Sequence, residues 1–184
     1  MSSNKGFNQE VSQEFITQAK TQDPETLKDL YKCYADACFT TAYRLSGDAS
    51  LAADICHEVF IVMIEKLHSF KGQSVQFGGW MKRIVVNKTI NRMKFEMRFT
   101  DIDDSPIEHP NTLFTHQWLD SSIDLHQLLE KLSDQHRTVL WLYEIEGYSH
   151  AEIASMFNKS VSFSKVTVLR AYRSLQQLSE VSHV

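Results

Sequence analysis

Between Lys71 and Arg92 the chain interleaves cations with aromatic rings and amides: Lys71, Phe77, Trp80, Arg83, Asn87, Lys88, Asn91 and Arg92. That mixture suits unpaired nucleic acid. Cations track a phosphate backbone, ring faces stack bases, and an asparagine amide hydrogen-bonds a base edge. Stacking one base on an aromatic side chain contributes about 1–3 kcal/mol, comparable with the few kcal/mol needed to unstack it from a duplex. A loop that held an extruded base would therefore bias local melting without ATP. For Phe77 and Trp80 the competing expectation is a place in a helical core, and the core is favoured for Trp80. For Asn87 the two expectations are balanced.

A second cationic set lies near the C-terminus. From Met156 to Ser179 the residues Lys159, Lys165, Arg170 and Arg173 stand without a single acid. The punctuation around them is helical. Ser133 can cap a helix running to about Glu144, with Gly147 as the break. Ser149 followed by Glu152 forms a capping box, each side chain satisfying the other's backbone N–H. The short helix this opens ends near Asn158, a residue that tolerates left-handed backbone. A longer helix follows, its apolar stripe running Val161, Ser164, Val168, Ala171, Leu175, Leu178. Short helix, tight turn and longer amphipathic helix make a helix-turn-helix. Lys165, Arg170 and Arg173 fall opposite the stripe, where they can reach phosphates and base edges in a major groove. A helical hairpin with a solvated basic face is the plainer alternative.

The elements that must carry these residues also read as helices. Leu27, Leu30, Tyr31, Tyr34 and Cys38 recur at steps of three and four, and so do Leu51, Ile55, Val59 and Val62 with Leu67 following. Trp80, Ile84, Asn87 and Asn91 form a third stripe. With 42% hydrophobic residues but only six Gly and three Pro in 184 residues, the composition favours helices over turn-rich sheet. No stretch alternates as a strand would. The expected fold is all-α, two small helical domains joined by a flexible acidic linker.

That linker is visible in the charges. Lys82 to Arg98 holds six basic residues against the single acid Glu96, whereas Phe99 to Leu125 has no Lys or Arg but contains Asp101, Asp103, Asp104, Glu108, Asp120 and Asp124. Pro106 and Pro110 fall in the same acidic strip, with Trp118 and Leu119 as docking points. The net charge of −4 argues against a free-standing, non-specific nucleic-acid binder. Cys33, Cys38 and Cys56 lack a Cys-x-x-Cys pair, and free buried or half-buried thiols are favoured over a metal site at Cys56 and His57. Met1 to Glu10 is polar and no run has the apolar length of a membrane span, so a cytoplasmic, reduced protein with no membrane insertion is expected.

Two motifs in order then carry a family resemblance. The segment Asp54-Ile-Cys-His-Glu58-Val-Phe60 is similar to the Asp-x-x-Gln-Glu-x-Phe signature in domain two of bacterial sigma factors. Phe77-Gly-Gly-Trp80-Met-Lys-Arg83-Ile-Val-Val-Asn87 follows at the distance of that family's Phe-x-x-Trp-x-x-Arg-Ile-x-x-Asn pattern. Leu132 to Leu140, Glu146 to Ala154 and Arg170 to Leu175 resemble sigma domain four. The likeness spans about Pro24 to Leu178, and two domains in this length point to the extracytoplasmic-function type.

The resemblance implies a division of labour. Residues 1–22 would be an N-terminal segment, 23–98 domain two, 99–124 the linker and 125–184 domain four. Asp54, His57 and Glu58 would dock on core RNA polymerase. Lys71, Phe77, Arg83, Asn87, Lys88, Asn91 and Arg92 would capture the flipped base of the −10 element of promoter DNA. Lys165, Thr167, Leu169, Arg170 and Arg173 would read the −35 element, and the linker would thread through the polymerase. An anti-sigma factor is the further partner implied. There would be no cofactor, no metal and no catalysis, and no P-loop, dinucleotide turn, His-Glu-x-x-His or nucleophile elbow occurs in the chain.

Departures from the family pattern are His57 in place of Gln, Phe163, Ser164 and Thr167 in the recognition helix, and the Gly78-Gly79 pair. The glycines are expected to loosen the loop that grips the −10 base. A stand-alone helix-turn-helix regulator, acting without polymerase, is the alternative function. It would need neither the Asp54–Phe60 signature nor the acidic linker.

Overall fold

The computed structural model describes residues 6–96 and 129–182, and among them every regular element is a helix. The chain separates into two compact units, dividing between Met93 and Lys94. The acidic strip and its docking points Trp118 and Leu119 lie outside the described residues.

In the first unit a 3-10 turn at Gly6–Asn8 precedes α1 (Gln13–Ala19), α2 (Pro24–Ser46), α3 (Ala49–Lys66) and α4 (Phe77–Phe95). α2 starts where it does because Asp23 accepts from the Thr26 amide at 2.9 Å and Pro24, which has no N–H to lose, takes the first helical position. It stops at Gly47, whose φ of 69° is left-handed backbone that a Cβ would penalise. Asp48 then caps α3 by accepting from the Leu51 amide at 3.0 Å, so two residues turn the chain into a helical hairpin. Leu30, Tyr34, Cys38 and Leu45 of α2 and Leu51, Ile55, Val59 and Met63 of α3 are buried in the core of this unit. Each such fully buried aliphatic contributes about 1.5–3 kcal/mol through the water it displaces.

Two expectations need correction here. The buried face of α4 is Phe77, Met81, Val85, Val86, Ile90 and Met93, whereas Trp80 and Ile84 are half-buried and Asn87 and Asn91 are exposed. The stripe read from Trp80 to Asn91 is thus the outward one. Spacing alone could not choose, because α4 carries apolar residues around most of its circumference. The N-terminal segment also contributes structure that the sequence reading left unassigned. α1 is capped by Ser12 and buries Ile16 and Ala19 completely. With seven residues and two inward apolar positions it is too short to show a period.

The second unit follows its sequence punctuation. Ser133 caps α5 (Asp134–Glu144) by accepting from the His136 amide. Gly147 has φ of 73°. Ser149 and Glu152 form a reciprocal capping box at the start of α6 (His150–Phe157), and Asn158 ends it at φ 55°, ψ 40°. The Lys159 amide donates to the Ala154 carbonyl at 3.0 Å, completing the turn into α7 (Val161–Ser182). Val139, Leu142, Ile153, Phe157, Val168 and Ala171 pack between the three helices.

Candidate nucleic-acid interface

The polar break after α3 is a short, well-tied loop. A 3-10 turn at Leu67–Ser69 leads through Phe70 to a second at Ser74–Gln76, which runs directly into α4. The Gln76 side chain accepts from the Gln73 amide at 2.9 Å, closing the turn on itself. Phe70 and Phe77 lie edge to face at 5.4 Å, and Trp80 rests against both at 5.1 and 5.4 Å. Lys71 is exposed at the loop's entry, and Val75 at its tip is 78% exposed. The sequence reading did not single out Val75. Nothing in a lone valine distinguishes a loop tip from a core.

Phe77 is fully buried in this aromatic cluster, against Tyr34 as well as Phe70 and Trp80. Its assignment to base capture is therefore corrected: its ring faces are occupied by packing. Trp80, half-buried beside it, matches the structural expectation in part and keeps an open side. Arg83, Asn87 and Asn91 are exposed and, at steps of four along α4, lie on one outward face.

Lys88 and Arg92 point elsewhere. Glu58 of α3 takes an ion pair from Lys88 Nζ at 3.0 Å and from Arg92 Nη1 at 3.5 Å. The acid expected at a protein-docking face and two cations expected at DNA thus share one cluster. Asp54 and His57 are exposed on the same side of α3, and Ile61, one turn beyond His57, is 57% exposed. Phe60 is nearly buried, its ring 4.7 Å from that of Tyr31 on α2. Asp54, His57, Glu58 and Ile61 form the accessible face, and Phe60 holds the helix carrying them.

In the second unit the outward face of α7 carries Lys165, exposed, with Leu169, Arg170 and Arg173 half-buried. Thr167 is wholly buried, and its hydroxyl donates to the Phe163 carbonyl at 2.7 Å. Its assignment to −35 reading is corrected: it lies on the core side of α7, one turn from the equally buried Ser164. Ser164 Oγ pairs with His150 Nδ1 at 3.0 Å, and the His150 ring stacks on Tyr143. Burial and then the nearby Lys165 push the His150 pKa down. Burial and then Arg170 do the same to His136. Lys165 and Arg170 of the recognition face therefore sit beside imidazoles held towards the neutral form.

Cys38 and Cys56 are buried and Cys33 is half-buried, with burial raising the pKa of each thiol. Among the described residues no group of three or more His, Cys, Asp or Glu side chains is placed to hold a metal ion. Within those residues no helix is long and apolar enough to cross a membrane.

Comparison with known proteins agrees with this layout. The model for sigma-70 region 2 matches residues 30–99, and that for sigma-70 region 4 matches residues 122–175. The chain is 29% identical over 158 residues to the ECF RNA polymerase sigma factor SigE of Mycolicibacterium smegmatis, covering 83% of this chain and 60% of that one. It is 29% identical to the RNA polymerase sigma factor YlaC of Bacillus subtilis, covering 83% and 91%, and 27% identical to SigW of the same organism, covering 88% and 93%. Among solved structures, the sigma factor RpoE of Bartonella quintana, crystallised with the anti-sigma factor NepR, superposes with a TM-score of 0.52 at 22% identity. It covers 84% of this chain and 96% of that one, a likeness of fold. With both regions matched in order and two helical units beneath them, the chain belongs to the sigma-70 family, in its extracytoplasmic-function branch.

Proposed function

We infer that the chain binds core RNA polymerase and directs promoter-specific initiation, without catalysis of its own. The observation that carries this reading is the pairing of a region 2 match with a region 4 match, each on a helical unit with a cationic outer face. Arg83, Asn87 and Asn91, with Lys71 and the open side of Trp80, engage the melted −10 element. Lys165, Leu169, Arg170 and Arg173 read the −35 element as duplex. Asp54, His57 and Glu58, with Ile61 one turn beyond His57, dock on the polymerase. Lys88 and Arg92 serve the −10 surface once Glu58 is engaged by a partner.

A net charge of −4 fits this arrangement. Most of the affinity then comes from docking on the polymerase, and the DNA contacts supply selectivity. The acidic strip 99–124 follows the polymerase's basic channel, and an anti-sigma factor, the class of partner crystallised with the Bartonella protein, covers the docking faces of this chain. Work beside the polymerase places the protein in the cytoplasm.

Run-off transcription of genomic fragments, with and without core enzyme, tests the reading. Promoter-specific transcripts are expected only when chain and core are combined, and promoter gel shifts should be weak with the chain alone. Tight, specific DNA binding without core would instead identify a stand-alone regulator.

A further inference from the structure

We propose that the N-terminal segment, through Phe7, Gln9 and Lys20, is a strap that positions the −10 loop, with Gly78 as its seat. The idea rests on the promoter-opening function inferred above.

The loop between α3 and α4 is held at both ends by residues that precede α2. At its start, Lys20 Nζ, at the end of α1, donates to the Phe70 carbonyl at 2.7 Å. At its finish, the backbone of Phe7 lies directly on Gly78 in the first turn of α4. A Cβ at Gly78 would overlap the Phe7 carbonyl oxygen, so the approach tolerates no side chain.

Between these points the strap is fastened to α2. The Gln9 side-chain amide donates to the Cys33 carbonyl, and the Gln9 carbonyl accepts from the Tyr34 hydroxyl at 3.3 Å. The Phe7 ring stacks on Tyr34 at 6.3 Å, and Tyr34 meets Phe77 at 5.6 Å. Phe7, Tyr34, Phe77, Phe70 and Trp80 form a continuous aromatic layer, one side closed by the strap and the other carrying the loop.

Gly78 therefore does not loosen the loop, as its sequence context suggested. It admits the strap that fixes it. Gly79, whose Cβ position is open, has no such role. A site whose supporting shell shifts by about 1 Å loses much of its function, and here that shell is the aromatic layer.

The test uses the full chain, a variant lacking residues 2–9, Gly78→Ala, the two changes combined, Gln9→Ala, and Lys20→Met with Lys20→Arg as rescue. Holoenzyme reconstituted with each is assayed on a promoter recovered by run-off with the wild-type chain, and permanganate reactivity of unpaired −10 thymines reports opening. Deletion, Gly78→Ala and Lys20→Met should each slow opening roughly tenfold while core affinity stays within about twofold. Lys20→Arg should restore it.

Gly78→Ala distinguishes a seat from ordinary helix stability. Alanine favours helix over glycine, so the substitution should lower the melting temperature of the full chain but raise that of the truncated one. In the chain alone, trypsin should cut after Lys71 faster in the strap variants, Gln9→Ala included, a readout that needs no polymerase. Wild-type opening and unchanged cleavage after deletion would overturn the strap, as would equal effects of Gly78→Ala with and without residues 2–9. Failure of the wild-type chain to initiate with core would strike the inferred function instead, and the trypsin and melting results would still judge the strap.

Discussion

Glu58 forms ion pairs with two cations of the neighbouring helix at 3.0 and 3.5 Å, with all three side chains partly solvated. Exposed ion pairs of this kind contribute about 0–1 kcal/mol, so the cluster is poised to exchange partners. Glu58→Gln should change folding stability by less than about 1 kcal/mol on the same grounds. It should also release Lys88 towards phosphate. Binding of the isolated chain to a single-stranded oligonucleotide, titrated against salt, should tighten and gain about 0.7 units of log–log slope for the one cation released. An unchanged slope would mean that Lys88 reaches phosphate regardless of Glu58. Asn87 is a cleaner residue, exposed on the outward face of α4 with its core-side neighbours intact. Asn87→Ala should weaken promoter opening by the worth of a base-edge contact, about 1–3 kcal/mol, with core affinity preserved. Permanganate footprinting against a core-binding competition separates the two effects.

At the scale of elements, what fixes the second unit is the geometry of its turns. Ser149 satisfies the Glu152 amide, and the Glu152 carboxylate accepts from the Ser149 amide at 2.9 Å. Without that box the first turn of α6 has orphan donors, and α6 sets the angle at which α7 presents Lys165 and Arg173. Ser149→Ala should cost about 1 kcal/mol, the usual value of an N-cap. Chemical denaturation monitored by far-UV circular dichroism should show this loss, and transcription from a duplex promoter that depends on its −35 element should fall more than transcription from a template pre-melted at −10. These caps were readable in advance. Ser133, Ser149 with Glu152, and Asn158 act through partners within about four residues, so local sequence carries the whole signal. α4 was not readable in the same way. Its apolar residues surround most of the helix, and the choice of inward face was made by α2, by the aromatic layer and by the strap, all distant in sequence.

For the molecule as a whole, the C-terminal unit carries a pH dependence with a definite sign. Burial, aided by Arg170, lowers the His136 pKa, and burial with Lys165 lowers that of His150. The fold favours neutral rings, while the unfolded chain takes up protons near the ordinary value of about 6.5. Stability should therefore be fully present above about pH 6.5 and be lost as pH falls through that value towards the depressed folded pKa. The melting temperature of the chain should drop between pH 7.5 and 5.5, and His136→Gln should flatten the drop. A rise on acidification would show that the rings gain rather than lose protons on folding.

The all-α class, the cap positions, the helix-turn-helix and the order of the two family motifs follow from the linear chain, because each depends on residue type and short spacing. Burial of Phe77 and Thr167, capture of Lys88 and Arg92 by Glu58, and the seating of Phe7 on Gly78 do not. Those outcomes join residues 30 or more positions apart, or depend on which side of a helix its neighbours cover. A stripe of charges states what a face can do, and only packing from across the fold settles which face meets solvent.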